Sequence, residues 1–289
     1  MYSGDCQNIV QRQISFAFVF LLLTAGYSPI NSSTPSQPSL NTSELPSLDR
    51  RVDRTNHSPQ VKLDVVNIVP LGDSITQAEK GYNSYRRSLN KKLLAAGYQV
   101  NFVGSMNQTK DCTDFPSQDF DFDHEGHWGW RIDEVIEGRQ AQCSGEGKLA
   151  DWLNNYTPDL ALIHLGTNDV FRGDSVSSSS AELKQIVEIL RQKNPNIAIF
   201  IAQLIPTDDK QVNKAIIDLN QQITTLVAEI NQTNSPVILV DQYSGFNPRH
   251  DTYDGVHPNL QGEEKIAQKW FEAIDTYLKS VQKNYSSAQ

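Results

Sequence analysis

The stretch Gly72-Asp73-Ser74-Ile75-Thr76 decides the fold prediction, because it follows an apolar run that is typical of a buried strand. That run, residues 64–71, is short and rich in β-branched side chains, which favours a parallel strand covered on both faces. A glycine directly after the strand lets the chain turn, so the next side chains lie at the carboxyl edge of the sheet, where ligands bind in open α/β folds. Ser74 is therefore a candidate nucleophile, although Gly, Asp and Ser are also common turn residues.

From Val61 onward, predicted strands and helices alternate, which is the pattern of a parallel sheet with helices on both faces. Amphipathic periodicity predicts the long helices, and short β-branched runs predict the strands. The predicted strands are 64–71, 99–103, 159–165, 197–202 and 237–240. The predicted helices are 82–96, 180–193, 212–230 and 261–280, with a short one near 147–154. This order predicts an α/β fold, a three-layer αβα sandwich around a five-stranded parallel sheet.

The composition limits the classes of partner. The chain has 289 residues, 38% of them hydrophobic, which is enough apolar material to bury a core. Its net charge is −9. Nucleic acids and anionic membranes attract basic surfaces, so this acidic balance argues against both as partners.

The first sixty residues divide into two segments. Residues 14–26 are apolar but shorter than the roughly twenty residues of a membrane span, as in the hydrophobic region of a secretion signal. We predict a signal peptide at 1–26, secretion to an extracellular or periplasmic space, and no membrane insertion after cleavage; an uncleaved N-terminal anchor is the alternative. Residues 27–60 are rich in Ser, Thr and Pro without hydrophobic periodicity, which predicts a disordered linker before a folded domain at 61–289.

Residues 105–145, the irregular segment, interrupt the alternation of strands and helices. The segment is polar and contains Cys112, Cys143 and the stretch His-Glu-Gly-His-Trp-Gly-Trp at 124–130. A loop of this length in a compact domain is usually functional or disordered, and its aromatic and histidine residues favour an ordered one. Two cysteines in an exported chain favour a disulfide bond over a metal site. The histidine spacing also differs from the helical zinc-protease pattern, so we expect these rings to form hydrogen bonds rather than to bind metal.

Three short polar segments lie at the end of a predicted strand or directly before a predicted helix. They are 72–74, 166–169 and 254–258. Because parallel strands have their carboxyl ends at the same edge of a sheet, we expect the first two segments to lie close together. Each segment alone is compatible with an ordinary turn or helix cap. Their combination at these positions favours a catalytic site over three unrelated turns.

Acyl transfer needs a nucleophile, a base, a group that orients the base, and donors for the oxyanion. Ser74, His257 and Asp254 supply the first three. The Asp-x-x-His spacing lets both side chains come from one turn, so the carboxylate can bond one imidazole nitrogen and leave the other for the serine. Asn168 and backbone N–H groups are the candidate oxyanion donors.

These segments resemble the SGNH branch of the G-D-S-L esterases and lipases, a family named for four residues in four separated blocks. The matching residues are Ser74, Gly104, Asn168 and His257. The resemblance covers nearly all of the predicted domain and implies a flavodoxin-like sandwich without metal or organic cofactor. It implies Ser74 as nucleophile, His257 as base and Asp254 as the orienting residue. It also implies an oxyanion hole formed by the N–H groups of Ser74 and Gly104 and by the Asn168 amide.

A closer resemblance includes the irregular segment. Residues 70–76, 124–132 and 164–170 together are similar to carbohydrate esterase family three, whose members are mostly acetyl xylan esterases. This implies a serine esterase that hydrolyses O-acetyl esters on xylan or a similar carbohydrate through an acyl-serine intermediate. The alternatives are a lysophospholipase or thioesterase of the same superfamily, and a non-catalytic carbohydrate-binding surface protein.

Four residues near these segments are candidates for substrate contact. Asp73 would contact the substrate or, as the alternative, fix the turn by hydrogen bonding. Trp128 and Trp130 would offer an apolar wall or a platform for a sugar ring. Arg131 would bond a substrate hydroxyl or carboxylate, or form a structural salt bridge. We interpret the neighbouring Asp169 as a helix cap rather than a catalytic acid.

Overall fold

The computed structural model describes residues 65–287, with side chains up to residue 284. The predicted signal peptide and linker therefore lie outside the described residues. Within the described range, no helix is long and apolar enough to cross a membrane.

The strands of the described chain are β1 Val66–Gly72, β2 Val100–Phe102, β3 Glu125–Gly126, β4 Arg139–Gln140, β5 Glu146–Gly147, β6 Leu160–His164, β7 Ala198–Gln203 and β8 Val237–Asp241. The central sheet has the strand order β2-β1-β6-β7-β8, and these neighbouring strands are parallel. The two-residue β3 adds a sixth strand beside the end of β1, and β4 and β5 form a separate antiparallel pair. The predicted flavodoxin-like α/β fold is confirmed. The two-residue strands β3, β4 and β5, which lie in or next to the irregular segment, are too brief to leave a periodic pattern in the sequence.

Helices connect the strands of the sheet. Those of the described chain are α1 Ser74–Gln77, α2 Ser84–Ala95, α3 Ile132–Glu137, α4 Leu149–Trp152, α5 Thr167–Arg172, α6 Val176–Lys193, α7 Lys210–Ile230, α8 Pro248–Asp251 and α9 Leu260–Ser287. The four predicted long helices are present. Helix α6 begins four residues before its predicted start, because Ser175 caps it by accepting a hydrogen bond from the Ser178 N–H.

The sheet lies between two hydrophobic clusters, because successive strand residues face opposite sides. On one side Val69 and Leu71 pack with α6 and α7. On the other side Ile68 packs with α2 and α9, whose Trp270 is fully buried. The sheet and the helices on its two faces are the three layers of the sandwich, and one hydrophobic cluster fills each of the two spaces between them.

The strand order also determines where the predicted site residues lie. The register pairs Gly72 at the end of β1 with His164 at the end of β6. Ser74 and Asn168 follow these two strand ends, and Gly104 follows β2 on the other side of β1. Three of the predicted residues therefore lie after adjacent strands, at one edge of the sheet.

Candidate active site

The structure brings Ser74, His257 and Asp254 into direct contact. The Ser74 Oγ lies 2.9 Å from the His257 Nε2, and the His257 Nδ1 lies 2.6 Å from the Asp254 Oδ2. One imidazole nitrogen thus faces a carboxylate and the other faces a hydroxyl. This is the arrangement in which a histidine can take a proton from a serine while a carboxylate holds its ring.

Ser74 is placed by the tight connection between β1 and α1. The preceding Asp73 is the N-cap of α1, and its Oδ1 accepts a hydrogen bond of 3.0 Å from the Ile75 N–H. Asp73 is fully buried, and this hydrogen bond is its alternative role in the turn, while its contact with substrate stays a prediction. Its hydrogen bond holds the first turn of α1 with Ser74 directly after β1.

Asp254 and His257 lie in the turn between α8 and α9. The Asp254 Oδ1 accepts hydrogen bonds from the backbone N–H groups of His257 (2.7 Å) and Val256 (3.0 Å). Burial acts to raise the pKa of Asp254, but these bonds and the imidazole lower it below its ordinary value. The carboxylate is therefore ionised and aligned, although 41% of its side chain is exposed.

A series of nearly parallel rings contains the His257 imidazole. Trp128 stacks on it at a centroid distance of 4.5 Å and an angle of 14°, and Tyr253 stacks at 5.7 Å and 15°. Tyr82 in turn stacks on Tyr253 at 4.6 Å. The imidazole is thus held in its plane by hydrogen bonds and against its faces by aromatic rings. Nothing in the sequence spacing indicates Tyr82, and the only signal for Tyr253 is its position next to Asp254.

A small recess opens beside Ser74. Its walls include Ile75 and Ala78 of the β1–α2 connection, the rings of Tyr82, Trp128 and Tyr253, and the catalytic-triad candidate His257. The empty space between these walls is about 230 Å³, and part of it is open to solvent. Trp128 is thus a wall of this recess, one of the two roles predicted for it.

The remaining predicted oxyanion donors lie at the neighbouring strand ends. The Asn168 Nδ2 donates a hydrogen bond of 2.9 Å to the Trp130 carbonyl, and an amide has a second N–H that this bond does not use. At Gly104 a Cβ atom would lie 2.2 Å from the His124 carbonyl carbon, so only glycine fits there. Their role as oxyanion donors stays a prediction.

The side chains of two other candidates for substrate contact form packing contacts or salt bridges within the protein. Trp130 is fully buried and packs against His127 and Trp152, while its contact with substrate stays a prediction. The Arg131 guanidinium pairs with Asp133 (2.8 Å) and Asp174 (3.0 Å), which is the salt-bridge alternative.

The irregular segment is held by buried polar contacts. The carboxylate of Glu125 accepts hydrogen bonds from Tyr156 (2.6 Å) and from the N–H and hydroxyl of Ser105 (2.6 and 2.8 Å), and it pairs with the His127 Nε2 (3.0 Å). The His127 Nδ1 lies 2.9 Å from the carbonyl of Ser144. These ring contacts are the hydrogen bonds predicted for the segment, and they connect its two ends.

A disulfide bond joins Cys112 and Cys143. It lies beside α1, because the side chain of Gln77 donates to the Cys143 carbonyl and accepts from the Trp128 N–H. The cross-link therefore stabilises the part of the segment that carries Trp128 to the site.

Comparison with known proteins agrees with this geometry. The model of the GDSL-like lipase/acylhydrolase family matches residues 71–265. The chain therefore belongs to this family, whose enzyme class is that of carboxylic ester hydrolases. Among curated proteins, a multidomain esterase of Ruminococcus flavefaciens is 32% identical over 228 residues. The match covers 74% of this chain and 29% of that protein's length, so the chain corresponds to less than a third of this relative.

Comparison with solved structures gives a more specific group of similar proteins. An acetyl esterase in which a serine is replaced by alanine, solved with an acetate ion, has a TM-score of 0.63 and 30% identity, covering 75% of this chain and 99% of that one. A carbohydrate esterase of family 3 from Talaromyces cellulolyticus has the same TM-score and identity, covering 74% and 99% of the two chains. The predicted similarity to this carbohydrate esterase family is confirmed.

Proposed function

We propose that this chain is an acetylesterase that removes O-acetyl groups from a carbohydrate through an acyl-serine intermediate. The observation that carries the proposal is the contact of the His257 imidazole with both the Ser74 hydroxyl and the Asp254 carboxylate. The similarity to an acetyl esterase and to a family 3 carbohydrate esterase supports the acetyl group and the carbohydrate.

The reaction has two steps. The His257 Nε2 takes the proton of Ser74 as the Oγ attacks the ester carbonyl, and the tetrahedral intermediate expels the alcohol, which receives that proton. Water then gives a proton to the same imidazole and attacks the acyl group, and acetate leaves as Ser74 regains its proton. The N–H groups of Ser74 and Gly104 and the Asn168 amide would bind the oxyanion in both steps.

The lining of the recess beside Ser74 supports a short acyl group. A lysophospholipase or thioesterase would need an extended apolar channel next to the nucleophile, whereas the carboxylates of Glu263 and Glu79 are part of these walls. This lining supports acetyl esters over long-chain esters.

Hydrolysis of a series of 4-nitrophenyl esters, from acetate to octanoate, tests the acyl group. We expect kcat/KM to be highest for acetate, and we expect the Ser74→Ala variant to lose at least about 10⁴-fold in kcat. Acetate release from acetylated xylan, acetylated chitin fragments and simple sugar acetates then tests the alcohol part. A preference for octanoate would favour the lipase-like alternative, and wild-type turnover by Ser74→Ala would contradict the mechanism.

We also propose that the protein is secreted. The disulfide bond between Cys112 and Cys143 supports an oxidising compartment. The measurement is the N-terminal sequence of the mature protein isolated from its source. A terminus at residue 27 is expected, and a terminus at Met1 on membrane-bound protein would favour the uncleaved anchor.

A further inference from the structure

Five side chains, one of them His257, form a closed series of contacts, which we call the contact ring. Trp128 and Tyr253 stack on the imidazole, as described above. The Lys110 ammonium lies 3.9 Å from the centroid of Trp128 and 2.8 Å from the Glu79 carboxylate. Glu79 in turn accepts a hydrogen bond from the Tyr253 hydroxyl. Every member of the contact ring therefore contacts two others, and the contact ring begins and ends at the base of the proposed reaction.

We propose that Lys110 is a positioning residue, which holds the Trp128 ring against the His257 imidazole and so maintains the alignment of the base with Ser74. Lys110 acts through Trp128 and makes no described contact with the reacting groups. This inference rests on the proposed function, because it assigns a role in the same site. Nothing in the sequence pattern points to this lysine.

Trp128 needs such a support because its backbone and its ring are held by different groups. The backbone N–H is bonded to the Gln77 side chain at 2.8 Å. The ring is half-buried at the mouth of the recess, and the contacts described for it there are with His257 and Lys110. An ammonium over an indole ring is attracted by the electrons of the ring face, and the contact restricts the ring to one position.

The position of Lys110 is itself fixed by its backbone. Its N–H donates a hydrogen bond of 3.0 Å to the Ala78 carbonyl, next to Glu79. The turn that carries it is closed by the Thr109 N–H, which donates to the Thr113 carbonyl. Cys112 lies in this turn and is joined to Cys143. The ammonium is thus placed by a cross-linked turn, whereas many surface lysines are placed by side-chain contacts alone.

The alignment of the imidazole matters because proton transfer depends steeply on geometry. Imidazole nitrogens form hydrogen bonds in the plane of their ring, so the contacts with Ser74 and Asp254 fix the ring's edge, and the stacked rings of Trp128 and Tyr253 oppose its tilting. A displacement of about 1 Å at a catalytic group can cost about 10²-fold in rate. Loosening one stacked neighbour should therefore reduce kcat, while the binding of a small ester changes little.

The test compares Lys110→Met, Lys110→Arg and Lys184→Met in hydrolysis of 4-nitrophenyl acetate. Methionine keeps the length of the side chain but has no charge, so we expect kcat to fall about 5- to 10-fold, with KM within about twofold of wild type. Arginine can pair with Glu79 and stack on Trp128, so it should restore kcat to within about twofold. Lys184, which pairs with Glu229 on α7, is the matched control and should change neither parameter.

A double-mutant cycle with Trp128→Leu separates positioning from other effects. We expect Trp128→Leu to reduce kcat more than Lys110→Met, and the double variant to equal Trp128→Leu alone, because Lys110 acts only through that ring. Additive losses, or an unchanged kcat in Lys110→Met, would overturn the inference. If Lys110→Met does not fold, Glu79→Gln tests the same contact from the other partner and should lower kcat in the same way.

Failure of the proposed function gives a different result. In that case wild-type protein hydrolyses no ester, or Ser74→Ala retains activity, and the positioning role is overturned with it. If wild type is active and depends on Ser74, but the lysine variants match wild type, only the role of Lys110 is contradicted.

Discussion

The carboxyl edge of the sheet and the irregular segment both contribute to the candidate site, but different forces hold them. At the sheet edge, Ser74 and Asn168 follow paired parallel strands, so backbone pairing sets their positions. In the irregular segment, Trp128 is placed by a buried carboxylate, a disulfide bond and side-chain hydrogen bonds. The nucleophile and the candidate oxyanion donor are thus fixed by the sheet, whereas the Trp128 ring is fixed by interactions that a single substitution can remove. Substitution of the reacting groups should therefore affect rate alone, and substitution of the contacts that hold the irregular segment should affect stability as well.

After Ser74→Ala, the largest effect on rate without loss of stability is expected for Asp254→Asn. The variant keeps the size of the side chain but removes the charge that faces the imidazole, and it favours the wrong tautomer of His257. We expect kcat to fall by about 10³- to 10⁴-fold, with an unfolding temperature close to that of wild type. Because this carboxylate is 41% exposed, a loss below tenfold would show that solvent can replace its orienting role.

The irregular segment should respond in the opposite way to Glu125→Gln. The variant presents an amide N–H₂ group to three side-chain donors and removes the charge that pairs with His127. We expect a loss of about 3 kcal/mol in the free energy of unfolding, measured by urea denaturation. Glu229→Gln, in an exposed pair on α7, is the control that should leave the midpoint unchanged. Unchanged stability in Glu125→Gln would show that the buried network does not hold the segment.

The double variant Cys112→Ser/Cys143→Ser tests the cross-link of the same segment. The bond closes a loop with a sequence separation of 31, and its loss should cost about 2–4 kcal/mol in the free energy of unfolding. We also expect kcat to decrease, because the turn that carries Lys110 loses its anchor. Full activity in a destabilised variant would show that the disulfide bond contributes to stability and not to the alignment of the site.

The smallest effect is expected at Asp169, which connects the two regions. Its carboxylate follows β6 and accepts a hydrogen bond from the Ile132 N–H at 3.2 Å. Burial raises the pKa of Asp169 to about 7, from an ordinary value of 3.8. Between those two values the folded protein holds a proton that the unfolded chain has lost, so this group makes the fold less stable as pH rises through that window.

Asp169→Asn cannot ionise and keeps an oxygen that accepts the same hydrogen bond. We therefore expect the difference in unfolding temperature, variant minus wild type, to be more positive near pH 8 than near pH 4. Glu263 has a pKa raised to about 7 by burial, but it is present in both proteins and cancels in the difference. A difference that does not vary with pH would show that Asp169 stays ionised in the fold throughout this range.

The same contrast explains how much the sequence could predict. The five main strands, the four long helices and the sheet edge that carries Ser74 follow from hydrophobic periodicity, which depends on local pattern. The burial of Asp73 and Trp130 could not be predicted, because it depends on how the irregular segment packs against the sheet. Lys110 and Tyr253 were missed for the same reason, since their contacts with Trp128 and His257 join residues that are distant in the chain.

The proposed reaction depends on Ser74 as a nucleophile that His257 activates. The most direct measurement is covalent labelling with a fluorophosphonate probe, followed by mass spectrometry of the digested protein. We expect one adduct on Ser74 in the wild type, and no adduct at this position in Ser74→Ala or His257→Ala. Hydrolysis of 4-nitrophenyl acetate by wild-type protein that the probe neither labels at Ser74 nor inhibits would contradict the role of Ser74 as nucleophile.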